Sequence, residues 1–163
     1  MNMEPTTASI RLPEGYGSPK RTLDWPAVRN RLEQAQHYWL ATTRPDGRPH
    51  VVPVDGLWVD GAWYFGGHSD TVHQRNVRNN PEVAIHLQDA IAAVIAEGIA
   101  EWTTPAAELA QQLSAASKHK YGYAPPPQAY LEGTWRLRPR RVVAWTSVAE
   151  DPTRFTFEAS SSA

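Results

Sequence analysis

Between His37 and Gly67 the chain reads "HYWLATTRPDGRPHVVPVDGLWVDGAWYFGG", three β-rich stretches separated by the turn signals "RPDG" and "DG". Connections this short join only antiparallel strands, because a parallel pair needs a crossover of about a dozen residues or more. The stretches are rich in aromatic and β-branched residues, which suit a pleated, half-buried surface. Three consecutive antiparallel strands are therefore expected here.

The rest of the chain extends that pattern. After Gly66 and Gly67, Asp70 or Ser69 is placed to cap a helix from Thr71 to about Asn79, and Pro81 stops it. "EVAIHLQ" reads as a fourth strand and "AAVIAEGIAEWTT" as a long fifth, with Gly98 marking a bulge or bend. A second helix opens at Thr104 and Pro105, runs through an Ala-rich segment and ends at Gly122. "APPPQAY" reads as a stiff, polyproline-like loop. "TWRLRPRRVVAWTSV" gives a sixth strand interrupted at Pro139, and "TRFTFEA" a short edge strand. Ahead of all this, Asp24 is an N-cap for a short helix ending near Gln36, on which Trp25, Val28 and Leu32 share a face. The expected fold is mainly β with α, a β-barrel of about six antiparallel strands with peripheral helices. A barrel protects the edges of short strands.

At 163 residues the chain is long enough for one real core, burying roughly 70% of its unfolded surface. Residues 23–158 are expected to form that domain, with 1–22 a flexible arm or one lying over a neighbour, and 159–163 a frayed tail. Lys and Arg total 16 against 17 for Asp and Glu, so no global basic field exists to hold nucleic acid or an anionic membrane. Any anion site must be local. With no cysteine, disulfides, thiolate metal sites and thiol nucleophiles are excluded. The first twenty residues lack the basic and apolar regions of a signal peptide, and no apolar run approaches a membrane span. A soluble, cytoplasmic protein is expected.

Two stretches carry chemistry. In "GGHSDTVHQRNVRNNPEVAIHL" a strand ends on glycines that let a ligand approach the backbone, then feeds a helix whose first N–H groups face that space. Ser69, Thr71, His73 and Arg75 could complete a phosphate cradle, or the segment could be a capped connecting helix in which Asp70 already occupies the N-terminus. In "GRPHVVPV", His50, Val52 and Val54 share one face of a strand and Val51 and Pro53 the other. Pro53 cannot donate to a ladder, which places it at an edge or at an opening where a planar heterocycle could meet the backbone.

Taken in order, "DGRPHVVPV", "RNVRNNPEVAIHL" and "VIAEGIAEW" resemble the pyridoxamine 5'-phosphate oxidase-like superfamily of flavin and deazaflavin proteins with a split β-barrel. The resemblance runs from about His37 to Thr103 and continues faintly through "RPRRVVAW" and "TRFTF". It implies a homodimer holding cofactors in clefts at its interface. Carried over by position, His50, Val51, Val52 and Pro53 would lie along the ring, Gly66 and Gly67 at the end of the third strand, and Thr71, His73, Arg75 and Asn76 around the phosphate. Where many members carry Lys or Arg, this chain has Thr71 and His73, so Arg75 is the certain positive charge. The implied activity is a hydride-transferring oxidoreductase using FMN or coenzyme F420 on a small organic substrate. The cofactor choice stays open, although an Ala- and Arg-rich composition associates with deazaflavin-using actinobacterial members. The alternative is a non-catalytic flavin or haem binder of the same fold, or a barrel without a cofactor.

No residue is singled out as catalytic; His50 and His86 could deliver a proton or be satisfied barrel histidines. His50, His68, His73 and His86 show no metal-site spacing, and no metal is expected. Of the seven tryptophans, Trp145 is the candidate to stack on a flavin, with core packing the competing reading. In "RLRPRR", Arg136, Arg138 and Arg140 fall on one strand face, as a solvated surface or as partners for carboxylates of a second subunit.

Overall fold

A computed structural model describes residues 4–158. In chain order the elements are β1 (Thr6–Ser9), α1 (Trp25–Gln34), β2 (Tyr38–Thr43), β3 (Pro49–Val54), β4 (Leu57–Val59), β5 (Ala62–Phe65), α2 (Val72–Asn79), β6 (Glu82–His86), β7 (Val94–Thr103), α3 (Ala107–Tyr121), α4 (Pro127–Leu131), β8 (Thr134–Ala144) and β9 (Thr153–Thr156). Among the described residues all strand pairs are antiparallel, in the order β1-β9-β8-β7-β6-β2-β3, and β5 pairs with β8 and carries β4 on its other edge.

The long strand β8 makes the fork. One of its edges runs along β7 for its whole length, whereas the other pairs with β5 near Trp135 and with β9 near Val142. The sheet does not close on itself, which is the split-barrel arrangement. Gly98 and Pro139 face each other at the register shift in β7. A Cβ on Gly98 would lie 2.6 Å from the Arg138 carbonyl oxygen, and proline brings no N–H to the ladder, so both bulge signals describe one irregularity. Accordingly β8 bends there and continues rather than being interrupted.

The interior is filled by Tyr38, Leu40, Trp63, Phe65, Ile85, Leu137, Val142 and Phe155, with Trp25, Val28 and Leu32 of α1 closing one side. A second, smaller core forms where α3 lays Leu113 against Leu57, Ala62 and Tyr64. Both faces of β5 are thus covered, which explains why all four of its residues are buried.

Several expectations change. The arm expected to be flexible over 1–22 is docked within its described part: β1 pairs with β9, Ile10 N–H donates to Pro152 O, and Arg21 reaches Asp151. β9 is consequently interior to the sheet rather than its edge. "PHVVPVDGLWV" breaks at Asp55 and Gly56 into β3 and β4, which do not pair with each other. The described residues form nine strands rather than about six, α3 begins at Ala107, and "APPPQAY" contains the short helix α4. Neither Asp70 nor Ser69 caps α2; Thr71 holds the N-cap position without a side-chain hydrogen bond to the helix. Asp24 likewise makes no side-chain cap on α1. Arg136, Arg140 and Arg141 pair with Glu101, Glu82 and Glu97 of the same chain, as neighbours along β8, β7 and β6. Residues 159–163 lie outside the described part. No helix is long and apolar enough to cross a membrane among the described residues.

Candidate functional site

The end of β5 and the first turn of α2 are stapled together by buried polar side chains. Gln74 Nε2 donates to the Gly66 carbonyl at 2.8 Å, His73 Nε2 lies 3.2 Å from the same oxygen, and Trp135 Nε1 donates to Gln74 Oε1 at 2.6 Å. Gln74 and Asn76 are each only 2% exposed, so their amides must be satisfied internally, and they are. This fixes the Gly66–Gly67 segment against the helix. Gly67 has φ +124, and a Cβ there would meet His73 Nε2 at 3.0 Å; Gly66 has open space where a Cβ would go.

A cleft of about 690 Å³ opens over this segment, lined by His37, Pro53, Val54, Asp55, Gly66, Gly67, His73 and Gln88. Its wall includes the end of β3, which among the described residues pairs only with β2. Backbone groups on that free edge can bond a planar ligand, as a ladder would bond another strand. A second cleft of about 630 Å³ shares Asp55, Gly66 and Gly67 with the first.

The structure gathers some of the sequence candidates and disperses others. Pro53, Gly66, Gly67 and His73 line the first cleft. His50 and Val52 turn half-buried toward the barrel, and Val51 is 51% exposed on the opposite face. Thr71 donates its hydroxyl to His68 O and Arg75 its guanidinium to Asp70 O, and neither is among the residues that line the clefts. Asn76 is corrected: it points inward, donating to Thr42 Oγ1 at 2.9 Å, with no surface left for a phosphate. Trp145 stands apart from the residues gathered in this chain. It follows Ala144 at the end of β8, where its N–H donates to Ala93 O, and it is not among the residues that line either cleft. His86 bonds at Nδ1 with Leu87 O and stacks on Trp39, a satisfied barrel histidine.

Sequence reasoning missed Gln74, Arg78, His37 and Asp55. Gln74 follows His73 on a helix whose first turn faces the glycines, and that adjacency was the available signal. Arg78, one turn beyond Arg75, donates to Ser69 O and lines the second cleft. His37 pairs with Asp55 at 2.9 Å, and both line the first cleft. Among the described residues no group of three or more His, Asp or Glu is placed to hold a metal.

The electrostatics favour a neutral His50. Burial, the Arg44 guanidinium and nearby His73 lower its pKa from 6.5. Its Nδ1 lies 3.4 Å from the Thr42 hydroxyl, whose oxygen already accepts from Asn76 and whose proton is free to point at His50. The neutral imidazole then carries its proton on Nε2. Because the folded pKa is the lower one, this preference contributes stability above pH 6.5 that is lost as pH falls through and below it. A nitrogen-15 NMR titration should find the His50 midpoint below 6.5, rising in Arg44→Gln; a midpoint at or above 6.5 would contradict the assignment.

An open, forked antiparallel barrel with a glycine-lined cleft beside a helix N-terminus defines a class of fold rather than one reaction. The pyridoxamine 5'-phosphate oxidase family model matches residues 25–155, and the chain belongs to that family. Among curated proteins none matches the chain. Similar solved structures include an F420 reductase (24% identity, TM-score 0.53, covering 80% of this chain and 98% of that one). A conserved hypothetical protein from Mycobacterium tuberculosis is similar at 20% identity and TM-score 0.64, covering 79% and 88%. HutZ, the haem storage protein from Vibrio cholerae, is similar at 20% identity and TM-score 0.55, covering 71% and 89%. These likenesses concern the fold.

Proposed function

We propose that the chain is an oxidoreductase that binds FMN or coenzyme F420 in the first cleft, as a homodimer with the cleft at its interface. The observation that carries this reading is the coincidence, at one place, of a free strand edge, a side-chain-free Gly66–Gly67 wall and a helix start with no side-chain cap. The first N–H groups of α2 have no intrahelical acceptor. With Asp70 turned toward His68 and Ser69, they are available to a phosphate. Arg75 adds the charge. The residues therefore fit a ring with a phosphate tail.

When bound, a flavin or deazaflavin supplies the centre that accepts or donates hydride. The β3 edge orients the ring through backbone donors and acceptors, and Pro53 and Val54 keep its face dry. His73 and Gln74 hold the glycine segment rigid under it, while His50 stands behind the same strand as a neutral histidine. The exposed Val51 and unpaired β3 edge support burial against a second copy.

A non-catalytic flavin or haem binder is the second reading, favoured by the two imidazoles, His37 and His73, in one cleft. Fluorescence titration of the protein with FMN and with coenzyme F420, in phosphate-free buffer, tests both. Tight binding of either, with substrate-dependent oxidation of its reduced form, supports the oxidoreductase. Ring binding without turnover, or a Soret band with haemin, supports the binder. In the cofactor-binding protein Arg75→Ala should weaken affinity by about 1.5–3 kcal/mol if its guanidinium bonds the phosphate. Unchanged affinity would place the phosphate elsewhere.

A further inference from the structure

On the far side of the Gly66–Gly67 segment, the second cleft has a different chemistry. Tyr64, Phe65, Trp102, Tyr121, Tyr123 and Tyr130 surround it. Two of these rings are poorly covered, Trp102 at 55% and Tyr123 at 67% exposure, although exposing large apolar rings is unfavourable. The position of Trp102 is enforced, since a Cβ on Gly133 would stand 2.3 Å from its ring. Space and rings of this kind suit a small planar molecule.

The polar groups around it are mostly committed. Ser117 donates to Tyr123 O, Thr134 to Phe65 O, and Gln74 is held between Gly66 and Trp135. Arg78 is different. It uses Nη1 on Ser69 O, and among the described residues no carboxylate pairs with it. The acidic group bordering the cleft, Asp55, is paired with His37. An anionic ligand is therefore favoured at Arg78 and disfavoured at Asp55, which orients it.

We propose that the second cleft binds a planar aromatic compound bearing one anionic group, its ring among Trp102, Tyr123 and Tyr130 and its anion on Arg78. As a binding site this stands independently of the cofactor. As the substrate pocket of a reaction across the shared Gly66–Gly67 wall, it rests on the oxidoreductase reading.

The test is isothermal titration calorimetry of the full chain, without cofactor, using 2-naphthoate and the neutral 2-naphthylmethanol. Expected are one saturable naphthoate site per chain and at least tenfold weaker binding of the alcohol. Arg78→Gln should erase that difference and leave the alcohol unaffected, whereas Tyr130→Ala should weaken both. Thermal melts verify that each variant is folded, and Arg78→Lys, which keeps the charge, should retain part of the preference. No saturable binding, equal affinity for acid and alcohol, or an unaltered preference in Arg78→Gln would overturn the proposal. FMN and coenzyme F420 titrated in parallel separate the two readings: naphthoate binding with neither cofactor bound sinks only the cofactor assignment, and the reverse sinks only this cleft.

Discussion

Gly56→Ala is expected to destabilise the protein by about 3–5 kcal/mol, above the usual range for an overpacked core. A Cβ at this position would lie 2.1 Å from Trp63 Nε1 and 2.4 Å from its Cε2. Trp63 has nowhere to go: it is fully buried, stacked on Phe65 at 4.5 Å and packed on Tyr38 at 5.2 Å. The glycine backbone is also pinned, because its N–H donates to the Tyr121 hydroxyl at 3.0 Å and its carbonyl accepts from Lys120 Nζ at 3.4 Å. That lysine is pulled down to about 8 by burial, against the attraction of Asp55 and Glu33, so displacing the backbone would leave a poorly solvated amine as well. Urea denaturation should show the loss, accompanied by a fall in Tm of roughly 10 °C or more. The contrasting substitution is Gly66→Ala, whose Cβ meets nothing within 4 Å. It should leave stability nearly unchanged while crowding the wall shared by both clefts. If Gly56→Ala proved as mild as Gly66→Ala, the close approach between the β3–β4 break and the core would be wrong.

That break shows what a linear reading could and could not see. Most strands from β2 onward are legible because they carry their own periodicity and turn chemistry, and Gly98 and Pro139 each announce an irregularity, whereas β1 and the β3–β4 break are not. That Gly98 and Pro139 face one another was not legible, since it depends on the β7–β8 register. The cleft shows the same division. Gly66, Gly67, His73 and Pro53 stood out by residue type and position. Asn76 looked equally available, but the helical phase of an eight-residue helix decides which polar side chains face the glycines and which face Thr42. Trp145 stands out by its ring, but ring type says nothing of placement, and neither cleft of this chain is lined by it. His37, Asp55 and Arg78 were missed because their roles arise from tertiary proximity: His37 and Asp55 meet only through the β2–β3 pairing, and Arg78 reaches the second cleft by spanning back to Ser69. The arm followed a similar logic. Its polar, Pro- and Gly-rich composition describes a segment without a core of its own, which is compatible with a strand added to an existing edge.

Asp151→Ala should cost about 3–5 kcal/mol, because it removes a fully buried acceptor and strands its donors. The carboxylate accepts from the Thr146 N–H at 2.7 Å, the Ser147 N–H at 2.9 Å, the Thr146 hydroxyl and Arg21 Nη2 at 2.9 Å. Burial alone would raise its pKa. The Ser147 N–H, the Thr146 hydroxyl, Arg21 and the Thr146 N–H outweigh that and hold the group well below the usual carboxylate range. The sign of the pH dependence follows: with the folded pKa below the unfolded one, the stabilisation is complete above about pH 4 and is lost as pH falls through the acid range toward the folded value. Asp151→Asn should accordingly flatten the acid limb of a stability profile while leaving its shape between pH 6 and 8 unchanged. Arg21 contributes less to this than its short distance suggests, since its side chain is 61% exposed and solvent screens the pair; Arg21→Ala should cost about 1 kcal/mol or less. The asymmetry matters for the arm. If docking of residues 4–22 depended mainly on the ion pair, Arg21→Ala would release it, whereas the β1–β9 ladder and the Lys20 to Glu150 backbone bond predict that hydrogen-exchange protection of Thr6–Ser9 survives Arg21→Ala and is lost in Asp151→Ala, where the 146–151 turn itself loses its centre.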